Sequence, residues 1–247
     1  TYLSMTRKII FKKITFSNID YKKFNKYILK KGLFVFPAGP ALATIDYSKE
    51  YYKSVQKADF VFFDSGFFVL LLRILKNVSV DKFSGYKFLN LFFDYLKKNK
   101  KKKIFCIDPN LYFSNSNKLY IKNLGVKKVY NYVAPKYSKK KLIDKKLLKQ
   151  INKIKPNVIV INLGGGIQEV LGLYLREKVN IKSTILCTGG AISFFTGDQA
   201  PINSFIDKYY LGWLIRLIFN PILFFKRYLV GLKLIPMVIF NKIITIK

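Results

Sequence analysis

Three turns carry residue types able to do chemistry. The first is Phe62-Phe63-Asp64-Ser65-Gly66-Phe67, where an acid ends an apolar run. A carboxylate among aromatic rings is partly desolvated, which raises its pKa and makes it a better base. The same position suits an Asp capping the next helix, so both roles stay open. The second turn is Asn162-Leu163-Gly164-Gly165-Gly166-Ile167-Gln168-Glu169. Consecutive glycines between a strand and a helix let backbone N–H groups approach a phosphate at the helix N-terminus. The spacing is neither Gly-x-Gly-x-x-Gly nor a Walker loop, and a plain tight turn explains it equally well. The third is Thr188-Gly189-Gly190-Ala191, then Phe195-Thr196-Gly197-Asp198-Gln199-Ala200-Pro201, again a glycine turn after a strand.

Other chemistries are removed by composition. The chain has no His, which excludes Ser-His-Asp and Cys-His schemes and His-ligated zinc. Cys106 and Cys187 are too few for a disulfide scaffold or a four-cysteine metal site. Both lie in apolar runs, as buried thiols in a reducing compartment do. No Asp-x-Asp pair is present to hold Mg²⁺ against a diphosphate. Neither a metal nor a cofactor is expected.

Short apolar strands alternate with helical patterns and must position these turns. Strands are read at Leu33 to Phe36, Phe60 to Phe63, Lys103 to Ile107, Val126 to Tyr130, Asn157 to Leu163 and Ile181 to Cys187. Helices are read at Ser48 to Lys57, Phe67 to Leu75, from a Ser84 cap through Tyr95, at Asn115 to Asn123, Ile143 to Ile154 and Ile167 to Glu177. Repeated β-then-α order with strands apolar on both faces predicts an α/β fold. The expectation is a Rossmann-like, mostly parallel sheet with helices on both faces, whose ligands bind beyond the carboxyl ends of the strands. At 247 residues, with 51% hydrophobic and 17% aromatic content, the chain has ample material for a core.

The formal charge is +32, from 45 Lys and Arg against 13 Asp and Glu. Only five of the cations are Arg, and the accompanying Lys, Ile, Asn, Phe and Tyr enrichment resembles compositional bias of an AT-rich genome. The Lys runs at 97–103 and 139–149 do not interleave with aromatics as a base-stacking surface would, and no nucleic-acid-binding motif is present. No secretory pattern shows at the start, where Arg7, Lys8, Lys12 and Lys13 interrupt the apolar residues. From Leu211 to Ile246 the chain is apolar almost all round, broken by Arg216, Lys226, Arg227, Lys233 and Lys242, with no acid after Asp207. Such a segment suits an anionic bilayer surface, although a core-packed helical pair would also account for it. Two units are expected: an α/β domain over 1–205 and a cationic, apolar helical appendage over 206–247.

The order of these pieces resembles the WecG/TagA/CpsF glycosyltransferase family over about Ile14 to Gly231. Asp64 keeps its register in that family's Asp-Gly-x-Gly turn. Lys82-Phe83-Ser84-Gly85-Tyr86-Lys87 matches the spacing of its Arg-x-x-Gly-x-Asp motif. Leu163, Gly164, Gln168 and Glu169 echo Gly-Leu-Gly-x-Pro-x-Gln-Glu, and Gly189 through Pro201 is similar to its second glycine stretch. Leu211 through Leu217, Asn220-Pro221 and Lys226-Arg227-Tyr228 resemble its ending. The chain departs from the family at Phe36-Pro37-Ala38-Gly39-Pro40, where Thr-x-Asn-Pro-Glu is usual. It also carries Lys82 for Arg, Lys87 and Ser193 for Asp, and Gly212 and Asn220 for Glu.

The resemblance implies transfer of a sugar from a UDP-sugar to a lipid-diphosphate-linked acceptor in polysaccharide assembly, with Asp64 as the base. It implies donor and diphosphate contacts from Lys82, Gly164, Gly165, Gly166, Gln168, Glu169, Arg216, Lys226 and Arg227. The expected setting is cytoplasmic, peripheral on the inner face of the plasma membrane. Partners are then the donor, the acceptor and an anionic surface rather than nucleic acid, with homo-oligomerisation open. The competing readings are a non-catalytic nucleotide-sugar-binding or scaffold member and a basic nucleic-acid binder. A dehydrogenase is disfavoured because its glycine fingerprint is missing.

Overall fold

The computed structural model describes residues 8–19, 24–28, 30–138, 142–199, 217–218 and 221–246. Nine strands form one sheet: β1 (Lys8–Phe11), β2 (Ile14–Ser17), β3 (Gly32–Val35), β4 (Phe60–Phe62), β5 (Lys103–Asp108), β6 (Lys128–Val133), β7 (Val158–Ile161), β8 (Thr184–Cys187) and β9 (Ile243–Ile246). Their order is β6-β5-β7-β8-β3-β4-β2-β1-β9. Pairing is parallel from β6 through β2, and β1 is antiparallel to both β2 and β9.

The longer helices are α1 (Lys49–Gln56), α2 (Gly66–Lys76), α3 (Gly85–Lys98), α4 (Leu111–Asn123), α5 (Lys145–Ile154), α6 (Ile167–Lys178), α7 (Pro221–Gly231) and α8 (Leu234–Phe240). Period-two alternation divides each central strand between two cores. Leu33, Val35, Phe105, Ile107, Ile159 and Ile161 pack with α1, α2, α5, α6 and α8. Phe34, Phe36, Phe62, Cys106 and Val160 pack with α3 and α4 on the other face. The second core is dense in rings: Phe36 stacks on Phe62 at 4.8 Å, and Phe24 meets Phe88 edge-on at 5.0 Å. The expected α/β sheet with helices on both faces is therefore present, and both cysteines are free and buried.

Two features depart from the sequence reading. The first is a hairpin at the N-terminus. Lys12 and Lys13 both have positive φ, 49° and 59°, as a two-residue type I′ turn requires. Lys12 is held by Asp46, at 2.9 Å, and its carbonyl accepts from the Tyr52 hydroxyl at 2.9 Å. The second is the C-terminal segment, which ends as a strand rather than a helix. Ile243-Ile244-Thr245-Ile246 is β-branched throughout, and β1 leaves an open edge that it covers. Before it, Leu234 and Val238 of α8 are fully buried in the first core, each stabilising by roughly 1.5–3 kcal/mol. The segment after 221 is thus packed onto the sheet, with no acid on α7, α8 or β9. The boundary expected between 205 and 206 lies outside the described residues.

Candidate active site

Asp64 leaves β4 half-buried at the carboxyl edge of the sheet. It does not cap α2: the hydroxyl of Ser65 does, accepting from the Phe68 N–H at 3.2 Å. Asp64 Oδ1 instead accepts the N–H of Gly85 at 2.9 Å. Gly85 opens α3, which Ser84 caps through the Lys87 N–H at 3.2 Å. The 81–85 loop is also fixed to β4 by a Phe83 N–H to Phe63 carbonyl bond of 2.8 Å. That puts half-buried Lys82 on the loop that carries Asp64's backbone donor.

Gly85 leads on to the glycine turns. A Cβ on Gly85 would lie 3.4 Å from the Thr188 carbonyl oxygen, so the Asp64 loop and the Thr188-Gly189 turn touch. The Gly189 N–H donates to Gln168 Oε1 at 2.7 Å, and Gln168 Nε2 donates to Glu169 Oε1 at 3.0 Å. Glu169 Oε2 in turn accepts the Gly166 N–H at 2.6 Å. Gln168 and Glu169 are 4% and 0% exposed. Their polar atoms are spent joining the two turns, so both act by positioning backbone. Gly164 and Gly165 are exposed, and a Cβ on Gly164 would meet nothing within 4 Å. That leaves open backbone at the helix N-terminus, the geometry that suits a phosphate. Gly166 takes φ 90°, in the left-handed region that favours glycine.

The unusual Phe36-to-Pro40 stretch lies against this edge. It forms a helical turn, Gly39–Leu42, with Pro in its first positions. A Cβ on Gly39 would stand 2.8 Å from Ser65 Oγ, and one on Gly165 would stand 3.1 Å from the Ala41 Cβ. The turn therefore spans the gap between the Asp64 strand and the Gly164–Gly166 turn with small apolar side chains. Helix α7, which carries exposed Lys226 and Arg227, packs on this same turn. Lys233 sits 4.9 Å over the Tyr47 ring. The structure thus brings Asp64, Lys82, Gly164–Gly166, Gln168, Glu169 and the helix of Lys226 and Arg227 to one end of the sheet. Arg216 lies outside the described residues.

A second acid at this end escaped the sequence reading. Asp108 ends β5 and is 0% exposed. Its Oδ1 accepts from the amides of Asn117 and Asn162, both at 2.7 Å, and its Oδ2 from Asn131 at 3.0 Å. Burial pushes the Asp108 carboxyl up, opposed by the hydrogen bonds from Asn162, Asn117, Asn131 and Ser114. Helix α4 follows β5 on one face and α6 follows β7 on the other, so Asp108 and Asn162 stand at a switch point of the sheet. The signal was in the sequence: Lys103-Ile-Phe-Cys-Ile-Asp108 ends an apolar strand in an acid just as Phe60-Val-Phe-Phe-Asp64 does.

Behind the site, the Tyr51 hydroxyl is buried without a hydrogen-bond partner. Burial first, then coupling to the acidic groups of Glu169, Cys187 and Asp64, pushes its pKa well above the usual value. Among the described residues, no group of three His, Cys, Asp or Glu is placed to hold a metal, and no helix is long and apolar enough to cross a membrane.

Against curated proteins the chain has no match. The pattern of the glycosyl transferase WecG/TagA/CpsF family, however, matches residues 9–246, from the N-terminal hairpin through the glycine turns to the closing strand, and the chain belongs to that family.

Proposed function

We propose that this glycosyltransferase moves a sugar from a UDP-sugar to a polyprenyl-diphosphate-linked saccharide, with inversion and without a metal, during cell-surface polysaccharide synthesis. The observation that carries the reading is the chain of contacts from Asp64 through Gly85 and Thr188 to Gly189, Gln168 and Glu169. It links one half-buried carboxylate to the only turn on this edge with three successive glycines. In the reaction, Asp64 takes the proton of an acceptor hydroxyl as that oxygen bonds to the anomeric carbon. The bond from that carbon to the donor's diphosphate breaks on the opposite side, and UDP leaves. The charge that develops on it is met by the Gly164 and Gly165 N–H groups, since that of Gly166 is engaged by Glu169, and by the cations Lys82, Arg216, Lys226 and Arg227.

The exposed surface supports a setting. Phe67, Leu70, Ile74 and Leu75 of α2 are exposed, and so are Phe225 and Leu229 of α7 and Phe240 of α8. Helix α8 packs against α2. Arg73, Lys76, Lys226, Arg227 and Lys233 accompany these side chains without an acid on the same helices. Apolar groups mixed with cations in this way favour an anionic leaflet, which supports a peripheral position on the cytoplasmic face, where a lipid-linked acceptor would be met.

One observation favours a second reading. The Phe36-to-Pro40 stretch brings apolar residues to this edge in place of the Thr-x-Asn-Pro-Glu usual in the family, so donor binding without transfer is the alternative. Incubation of the full chain with UDP-sugars and a polyprenyl-diphosphate saccharide, with EDTA present, separates the two. Product with inverted anomeric configuration supports transfer. UDP-sugar binding with neither product nor hydrolysis supports the alternative.

A further inference from the structure

At the opposite pole of the sheet, a cavity of about 230 Å³ opens at the amino ends of β3 and β8. Lys31, Arg176 and Lys182 line it against a single carboxylate, Asp59. That carboxylate is already committed. Its Oδ1 accepts from Arg176 Nη2 at 2.7 Å and its Oδ2 from the Leu33 N–H at 2.8 Å. Gly32 makes this possible, since a Cβ there would lie 2.6 Å from Asp59 Oδ2. Arg176 is further braced by the Lys57 carbonyl at 3.3 Å.

The two lysines are not compensated. Neither Lys31 nor Lys182 has an ion-pair partner among the described residues. Burial, and then the charge of Lys102, holds the Lys31 ammonium below its usual pKa. Both lysines are exposed at the cavity rim, and like charges gathered there are relieved by an anion. The Arg176 guanidinium, fixed from behind, adds a planar donor suited to phosphate oxygens.

We propose that this cavity binds a compact polyvalent anion of the phosphate or pyrophosphate class, at a site separate from the glycosyl-transfer edge. The binding would tie the end of α6, through Arg176, to the starts of β3 and β8.

The test is a calorimetric titration of the full chain with inorganic pyrophosphate at constant ionic strength. The titration is repeated on Lys82→Gln/Arg227→Gln, which weakens anion binding at the other pole, so that a nucleotide site there is told apart. Lys31→Gln/Lys182→Gln is expected to weaken binding about tenfold or more, the scale of one or two lost charge-assisted contacts. Lys145→Gln/Lys146→Gln, at the start of α5, is expected to leave the isotherm unchanged. A single charge reversal, Lys182→Glu, should reproduce the loss, with circular dichroism as the check on folding. No binding by the unaltered chain overturns the proposal, as does an isotherm unmoved by the Lys31/Lys182 change. Equal weakening in both lysine pairs also overturns it, because that outcome reports the general attraction of a strongly cationic chain.

Discussion

The backbone N–H of Gly85 donates to the carboxylate of Asp64 at 2.9 Å. This bond joins the end of β4 to the start of α3 across the 65–84 segment, in which α2 lies. It gives the acid a fixed direction without neutralising it, which is what a positioned base needs.

Gly39 tests how tightly the edge around Asp64 is packed. A Cβ at this position stands 2.8 Å from Ser65 Oγ, and Ser65 is both buried and engaged as the cap of α2. Gly39→Ala is expected to cost about 2 kcal/mol through overpacking and a weakened cap. Urea unfolding would register this as a lower midpoint, and an unchanged midpoint would mean that Ser65 moves freely.

Tyr51 offers a change of opposite sign. Its hydroxyl is buried and without a partner, so it carries a desolvation cost with no bond in return. Tyr51→Phe should stabilise the fold by about 1 kcal/mol, raising the thermal midpoint. A fall would show that the hydroxyl has a partner in solution.

The Asp108 cluster predicts both a mutational order and a pH dependence. Asp108→Ala leaves the buried amides of Asn117 and Asn162 without their acceptor, and part-buried Asn131 with only the Ser114 carbonyl, and should cost about 3 kcal/mol. Asp108→Asn retains one oxygen for Asn117 and Asn162 and should cost less. Because the folded carboxyl is raised above its unfolded value of about 3.9, the folded state holds its proton to higher pH. This group's contribution is therefore fully present below the unfolded value and is lost as pH rises through the folded one. Urea midpoints measured across that window should show the trend in the unaltered chain and lose it in Asp108→Asn.

The C-terminal helices allow the surface claim to be tested without truncation, which would strip Leu234 and Val238 from the core and bare the β1 edge. Lys226→Glu/Arg227→Glu leaves that packing intact. Each cation near an anionic surface contributes about 1 kcal/mol, so flotation with phosphatidylserine-containing vesicles should fall by well over tenfold. Undiminished flotation would move the contact to another face.

Most of the central sheet was legible because its strands are short, apolar runs bounded by polar or glycine-bearing turns. β7 and β8 carry no charged residue, and periodicity finds such segments. The N-terminal hairpin was not, because Lys12 and Lys13 fill a turn where Asn-Gly is the usual signal, and a lysine pair reads as solvated chain. The final strand was hidden for another reason: four residues of apolar sequence after a helical pattern acquire strand identity only from the β1 edge. Asp64 was found as an acid at a strand end, but its rival role as a cap fell to Ser65, one residue on. Gln168 and Glu169 were found by their glycine neighbours, while their tether to Gly189 depends on β7 and β8 lying side by side, which no local pattern states. Asp108 obeyed the same rule as Asp64, and its three Asn partners come from distant positions that only the fold assembles.

The central claim is that Asp64 removes the acceptor's proton, and the sugar-transfer rate of Asp64→Asn measures it most directly. Asn keeps an oxygen for the Gly85 N–H, so the fold and donor binding should persist while transfer falls about 10²–10⁴-fold, the usual contribution of a positioned base. Transfer at the unaltered rate by a folded, donor-binding Asp64→Asn chain would contradict the account.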